Sequence, residues 1–189
     1  TELTPMPHAR QRHTAAVINN KLYVIGGRDS NDALVPQIDS YDPKTNKWTT
    51  HGYLPEAVLT SDLTAWSWKN YIYVTGGFIA DYTAVGTTYR FDPSMFTATT
   101  SDDNEDMLMI ENYDVLQSSP HPRGDFHAVA LDGYAYLAGG ITHTSQWCVG
   151  LKTTERYHMA TDTWENLADL NVGRADMAVA IMNNKILAV

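Results

Sequence analysis

The sequence predicts an all-β protein built from repeated four-stranded sheets, the blades of a β-propeller. An apolar run ending in two glycines occurs three times, as "LYVIGG" (22–27), "IYVTGG" (72–77) and "AYLAGG" (135–140). Each copy follows another apolar run and a two-residue turn: Asn19-Asn20, Lys69-Asn70 or Asp132-Gly133. Such turns favour the left-handed backbone that closes a tight hairpin. Four short strands in a unit of about 50 residues are typical of a propeller blade.

Each unit continues with a third apolar run and then an outer strand that carries an aromatic residue. Trp48 and Trp164 mark this strand in the first and third units, and we assign the same place to Tyr113 in the second. The first and second glycine pairs are 50 residues apart, and the second and third are 63 apart. The longer spacing predicts an insertion in 95–112. The predicted repeats are 8–55, 56–120, 121–172 and a partial copy at 173–189.

Both ends of the sequence fall inside repeats. The stretch 1–10 resembles the end of an outer strand, and 177–189 resembles the first two strands of a fourth unit. Three complete blades plus partial repeats at both ends do not close a ring, and open blades would expose strand edges. We therefore expect part of a larger propeller, with closure by oligomerisation or by a partner chain as the alternative.

Three kinds of repeated residue are predicted to be structural. A glycine pair ends the second strand where the chain turns with positive φ, and an outer aromatic residue supplies buried area. An arginine precedes the first strand, either buried against loop carbonyls or forming a cationic rim for a ligand. The predicted structural residues are Gly26, Gly27, Gly76, Gly77, Gly139, Gly140, Trp48, Tyr113, Trp164, Arg10, Arg123 and Arg174.

These features together resemble the Kelch-repeat β-propeller family. The resemblance rests on the glycine pairs, the arginines before the first strands, and the spaced pairs Tyr41/Trp48 and Tyr157/Trp164. The second unit departs from the family pattern, because Thr60 stands where the arginine is expected and Tyr113 where the tryptophan is expected. The resemblance implies a rigid scaffold whose loops bind another protein.

The composition narrows the possible partners. The chain has 13 lysines and arginines against 22 aspartates and glutamates, a formal net charge of −9, which argues against nucleic acid. No apolar run approaches the ~20 residues of a membrane helix, so we expect no direct membrane insertion. The single cysteine, Cys148, excludes an intramolecular disulfide. This favours the cytoplasm, although a secreted protein without disulfides fits as well.

No constellation of residues in the sequence predicts catalysis. The histidines show no metal-ligand spacing, and no hydrolase motif is visible. Asp62, Asp125 and Asp176 share one repeat position with Arg12, which predicts local pairing or exposure at the central channel; a ring of carboxylates holding a cation is the alternative. We expect no catalytic residue, no metal and no cofactor.

Loops are the predicted binding regions, because they vary without disturbing the sheets. The loops 28–37, 78–86 and 141–153 carry arginine and aromatic anchors. The insertion joins acidic residues to a Met-rich run and is expected on the opposite face, either as a docking arm or as a disordered acidic loop. The candidate binding residues are Arg28, Phe78, Tyr82, Asp102, Asp103, Met107, Met109, His143, Trp147 and Lys152.

The predicted function is a protein-interaction scaffold or adaptor that presents these loop surfaces to another protein. Two alternatives remain open. One is a non-catalytic fragment of a propeller enzyme, galactose-oxidase-like or carbohydrate-active, whose chemistry lies elsewhere. The other is a structural subunit of a large assembly.

Overall fold

The computed structural model describes residues 2–96, 109–143, 148–183 and 185–188, and nearly all of its regular structure is β-strand. Blade one contains β1 (Thr14–Ile18), β2 (Lys21–Ile25), β3 (Gln37–Asp42) and β4 (Lys47–Tyr53). Blade two contains β5 (Thr64–Trp68), β6 (Tyr71–Thr75), β7 (Thr88–Phe91) and β8 (Tyr113–Leu116). Each blade is one antiparallel sheet with its strands in chain order.

Blade three has the same plan with an additional hairpin. Its sheet contains β9 (Ala128–Leu131), β10 (Tyr134–Ala138), β13 (Thr154–His158) and β14 (Thr163–Asn166). The hairpin β11 (Ile141–His143) and β12 (Cys148–Gly150) lies between the second and third strands. A further pair, β15 (Val179–Met182) and β16 (Lys185–Ala188), begins the next unit. Short 3₁₀ turns occupy Glu56–Val58 and Pro93–Met95.

The hairpins between first and second strands form where the sequence predicts them. Asn19 and Asn20 have φ of 51° and 60°, the left-handed pair that matches the twist of two short strands. Asp132 and Gly133, at 50° and 82°, make the equivalent turn in blade three. Asparagine, aspartate and glycine tolerate this backbone, so the turn sets the register of each hairpin.

The glycine pairs fasten each blade to the next one. Gly77 has φ of +96°, and its N–H donates to the Arg123 carbonyl of the next repeat at 2.7 Å. A Cβ on Gly77 would lie 2.4 Å from the Ser61 carbonyl oxygen, which leaves no space for a side chain. Gly27 and Gly140 make the equivalent bonds to Thr60 and Arg174.

The core lies between successive blades and differs from one interface to the next. Between blades one and two it is mainly aliphatic, with Ile25, Ile38 and Ile72 fully buried. Between blades two and three it is aromatic, and the ring centroids of Trp66 in blade two and Tyr157 in blade three lie 6.1 Å apart.

The first strands of successive blades lie side by side around a central channel, because β1 contacts β5, β5 contacts β9 and β9 contacts β15. First strands begin and second strands end at the same end of the sheets. We call this end the loop face; it contains the loops 28–36 and 78–87 and the connections between blades. The opposite end, with the two-residue turns, is the hairpin face. None of the helices that the structure describes is long and apolar enough to cross a membrane.

Candidate functional site

A buried ion cluster anchors the connection that enters blade one. The Arg10 guanidinium donates to the carbonyls of Gly26 and Gln37 at 3.2 and 2.9 Å and to the Asp39 carboxylate at 2.6 Å. The side chains of Arg10 and Asp39 are both 0% exposed. The imidazole of His8 lies 3.0 Å from the same carboxylate.

Blade three repeats this cluster. Arg123 donates to the carbonyls of Gly139 and Thr153 at 2.7 and 3.1 Å and to the Glu155 carboxylate at 2.8 Å. His121 bonds the other oxygen of Glu155. Burial lowers the pKa of Arg123, and the Glu155 charge opposes that effect. Arg10 and Arg123 therefore bond to carbonyl and carboxylate groups of their own blades, and neither guanidinium forms a cationic rim for a ligand.

The sequence predicted carbonyl partners for these arginines but missed their carboxylates. Asp39 and Glu155 pair with Val24 and Leu137, two residues before the first glycine of their blades. A signal was present, because each acid stands two residues before Tyr41 or Tyr157. Arg174, by contrast, is exposed in the described structure.

The outer aromatic residues occupy one position in all three blades. Trp48 pairs with Tyr41 and Trp164 with Tyr157, and Tyr113 pairs with Phe91 in the same register. The indole N–H groups of Trp48 and Trp164 donate to the carbonyls of Thr4 and Gln117 at 2.9 and 2.8 Å. Each indole thus holds the segment that precedes its own blade.

On the loop face, one buried arginine joins the loops of blades one and two. Arg28 donates to the Asp32 and Ile79 carbonyls, both at 2.8 Å, and to the Ser61 hydroxyl at 3.0 Å. Its guanidinium lies 3.9 Å from the centroid of the Tyr82 ring. The Tyr82 hydroxyl donates to the Asp32 carboxylate at 2.7 Å, which closes the network. We call these contacts the Arg28 network.

Two candidate binding residues are inside the molecule, which corrects the expectation that they face a partner. Arg28 is 2% exposed and Phe78 is 1% exposed. Phe78 packs against Gly124, where a Cβ would lie 2.2 Å from its ring. Both residues follow a glycine pair directly, and the next blade covers that position. Tyr82 is half-buried, and Lys152 is exposed.

The repeated carboxylates line the mouth of the central channel. Asp62, Asp125 and Asp176 have φ between 50° and 59°, and each backbone N–H donates to the carbonyl of the equivalent residue in the preceding repeat, at 2.7 to 3.0 Å. With Arg12 and His127 they border a cavity of about 310 Å³. Arg12 bonds Asp62 at 3.3 Å.

The environment of this mouth favours a proton on one carboxyl group. Burial, together with the adjacent Asp62 carboxyl group, raises the pKa of Asp125 to about 7. Within the described ranges, no three histidine, cysteine, aspartate or glutamate side chains are placed to hold a metal ion.

The described ends of the insertion lie against blade one. The Phe96 ring is 5.6 Å from the His51 ring, and the Ile110 N–H donates to the Tyr53 carbonyl at 2.8 Å. Met109, which is 50% exposed, forms an isolated parallel β-bridge with Tyr53. Since Tyr53 pairs with Gln37 at the loop-face end of blade one, this part of the insertion is not confined to the opposite face as expected.

The remaining candidates cannot be placed. His143 ends β11, and nothing is described of its side chain. Four other candidates lie outside the described residues: Asp102, Asp103, Met107 and Trp147.

Comparison with known protein families finds a match that covers the repeated blades. A family model, the KLHDC2/KLHL20/DRC7 Kelch-repeats domain, matches residues 2–189. The chain belongs to this family. The sequence-based assignment to Kelch repeats and to an all-β propeller is thereby confirmed.

The relatives are similar at modest identity. Human Kelch-like protein 23 is 28% identical over 98% of this chain, and Kelch-like protein 25 of Xenopus tropicalis is 25% identical over 98%. Beta-scruin of Limulus polyphemus is 33% identical over 38% of the chain and 8% of its own length. The chain spans only 29% of either Kelch-like protein.

A solved structure shows the same fold. The structure of YjhT superposes with a TM-score of 0.79 at 19% identity, over 98% of this chain and 60% of that one. At this identity the likeness establishes how the Kelch blades are arranged and carries nothing about function.

Proposed function

We propose that the loop face of this Kelch domain binds a partner protein and that the blades hold that face rigid. The observation that carries the proposal is the Arg28 network, in which Arg28 of the blade-one loop donates to the Ser61 hydroxyl at 3.0 Å and to the Ile79 carbonyl of the blade-two loop at 2.8 Å. A surface ordered before binding loses little conformational entropy when a partner docks. The two loops therefore form one surface rather than two independent segments.

The charge on the loop face indicates what kind of protein surface it would meet. Asp32 is exposed beside Tyr82, and three carboxyl groups line the channel mouth. In the part of this face formed by blades one and two, Arg12 is paired with Asp62 and Arg28 is buried. Complementary charge accelerates encounter and rejects like-charged partners. We therefore expect a partner with basic residues at the contact.

Substitution of one exposed residue at each face tests this proposal. Asn31→Arg places a bulky cation in the blade-one loop of the loop face, and Thr45→Arg is the matched change at the hairpin face of the same blade. Both positions are exposed. Each variant and the unchanged chain are used as bait, and captured proteins are quantified by mass spectrometry after equal folding is established by thermal denaturation.

The expected result is loss of the captured partner from Asn31→Arg and its retention by Thr45→Arg. Loss from the hairpin-face variant alone, or equal capture by all three baits, contradicts the proposal.

A further inference from the structure

A groove with aliphatic walls crosses the loop face between blades one and two. Leu34 comes from the blade-one loop, Ala57 and Leu59 from the connection between the blades, and Ile79 and Ala80 from the blade-two loop. The groove encloses about 550 Å³, a size in the range of small-ligand and peptide side-chain pockets. Its apolar lining contrasts with the carboxylates of the neighbouring channel mouth.

The walls of the groove are fixed from beneath. Arg28 bonds the Ile79 carbonyl, and the Ile79 N–H donates to the Thr83 carbonyl at 3.1 Å. In the connection, the Val58 side chain is 2% exposed and anchors the 3₁₀ turn that carries Ala57. The cavity is therefore formed before any ligand binds, which reduces the entropy lost on binding.

The rim of the groove is anionic. Glu56 and Asp81 border it, and hydrogen bonds from the Thr83 backbone and side chain hold the pKa of Asp81 below its usual range. Arg28, the cation beneath this part of the face, is buried and lies 3.5 Å from the Asp32 carboxylate. The groove thus combines apolar walls with two carboxylates at its edge.

We propose that this groove binds a short peptide segment of the partner, with an aliphatic side chain between Leu59 and Ile79 and a lysine or arginine directed at Glu56 and Asp81. The inference rests on the proposed function and specifies the partner's chemistry. A second copy of this chain is a poor occupant, because its net charge of −9 repels an anionic rim.

Methyl NMR observes the groove directly, because five methyl-bearing residues line it. Three synthetic peptides of equal length serve as probes: a leucine pair flanked by arginines, the same peptide with glutamates for arginines, and the same peptide with serines for leucines. The arginine–leucine probe should shift the methyl signals of Leu59, Ile79 and Ala80 and leave that of Leu131, at the hairpin face, unchanged. Equal shifts with the glutamate or serine probe, or shifts only outside the groove, overturn the inference.

Two pairs of variants sharpen the test. Ala80→Arg fills the groove and should weaken the affinity for the arginine–leucine probe by about tenfold or more. Ala160 is an exposed alanine at the hairpin face, and Ala160→Arg should leave that affinity unchanged. The double variant Glu56→Gln with Asp81→Asn should reduce the difference in affinity between the arginine–leucine probe and the probe with glutamates in place of arginines. Unchanged affinity in Ala80→Arg overturns the inference.

The failure of this inference can be distinguished from failure of the proposed function. If no probe shifts the groove methyls while Asn31→Arg still loses the captured partner, the groove inference is wrong and the loop face remains the binding surface.

Discussion

Blades one and three anchor their entry connection with buried ions, whereas blade two places an aromatic ring at the same position. Tyr89 occupies the position in blade two that Asp39 and Glu155 occupy in blades one and three. Each of the three residues pairs with the second-strand residue that stands two before the first glycine of its blade. Thr60 replaces the arginine. The Tyr89 hydroxyl donates to the Ala57 carbonyl at 2.9 Å, so it fastens the connection without a charge.

In blade two both members of the buried pair are replaced by uncharged residues, Thr60 and Tyr89. An arginine facing Tyr89, or a carboxylate facing Thr60, would leave a buried charge without its partner, which costs several kcal/mol. A well-packed neutral replacement of both members can equal the ion pair in stability. Thr60, which looked like a departure from the family pattern, therefore belongs with Tyr89 as one alternative anchor.

The largest expected effect is the loss of one member of the blade-three cluster. Arg123→Leu leaves Glu155 buried and without its arginine, and should lower the free energy of unfolding by about 3–5 kcal/mol. Urea denaturation followed by circular dichroism measures this change. The control is Arg156→Leu, which removes a solvent-accessible ion pair between β13 and Glu165 of the neighbouring strand β14 and should change the free energy of unfolding far less than Arg123→Leu, because solvent screens the pair.

The comparison between blades also predicts a rescue. The double variant Arg123→Thr with Glu155→Tyr installs the blade-two anchor and should recover at least half of the stability lost in Arg123→Leu, because no charge is left buried. If the double variant is less stable than Arg123→Leu, the two anchors are not interchangeable.

A smaller effect is expected in blade two itself. Tyr89→Phe keeps the buried ring and removes only the hydrogen bond to the Ala57 carbonyl, so the free energy of unfolding should fall by about 1 kcal/mol. The same urea titration measures it. A loss as large as that of Arg123→Leu would show that the hydroxyl, rather than the ring, anchors this connection.

The last prediction concerns the effect of pH on the carboxyl groups of the channel mouth. The pKa of Asp125 in the folded chain, about 7, lies above its value of 3.8 in the unfolded chain. Its contribution to stability is therefore fully present below pH 3.8 and is lost as the pH rises through 7. Asp125→Asn removes this titration and suits the left-handed backbone at φ 54°.

The measurement for Asp125 is the difference in unfolding free energy between Asp125→Asn and the unchanged chain across pH 4 to 8. The variant should gain stability relative to the unchanged chain as the pH rises. A difference that does not vary with pH would show that Asp125 ionises normally in the folded protein.

Local signals made most of the fold predictable from the sequence. Turn pairs such as Asn19-Asn20 determine their own backbone, and the glycine pairs repeat in register, so strands and blades follow from short stretches. The site was harder, because its contacts join distant segments. Asp39 lies 29 residues after Arg10, and the burial of Arg28 depends on Ser61 and Ile79 of the next blade. An exposed loop residue and one covered by a neighbouring loop look alike in sequence.

Hydrogen–deuterium exchange of the chain with its purified partner tests the central claim, that the loop face is the binding surface, most directly. The account predicts slower exchange on binding in 28–36 and 78–85, with no change in the hairpin-face turns 43–46 and 159–162. Slower exchange confined to those hairpin-face turns would contradict it.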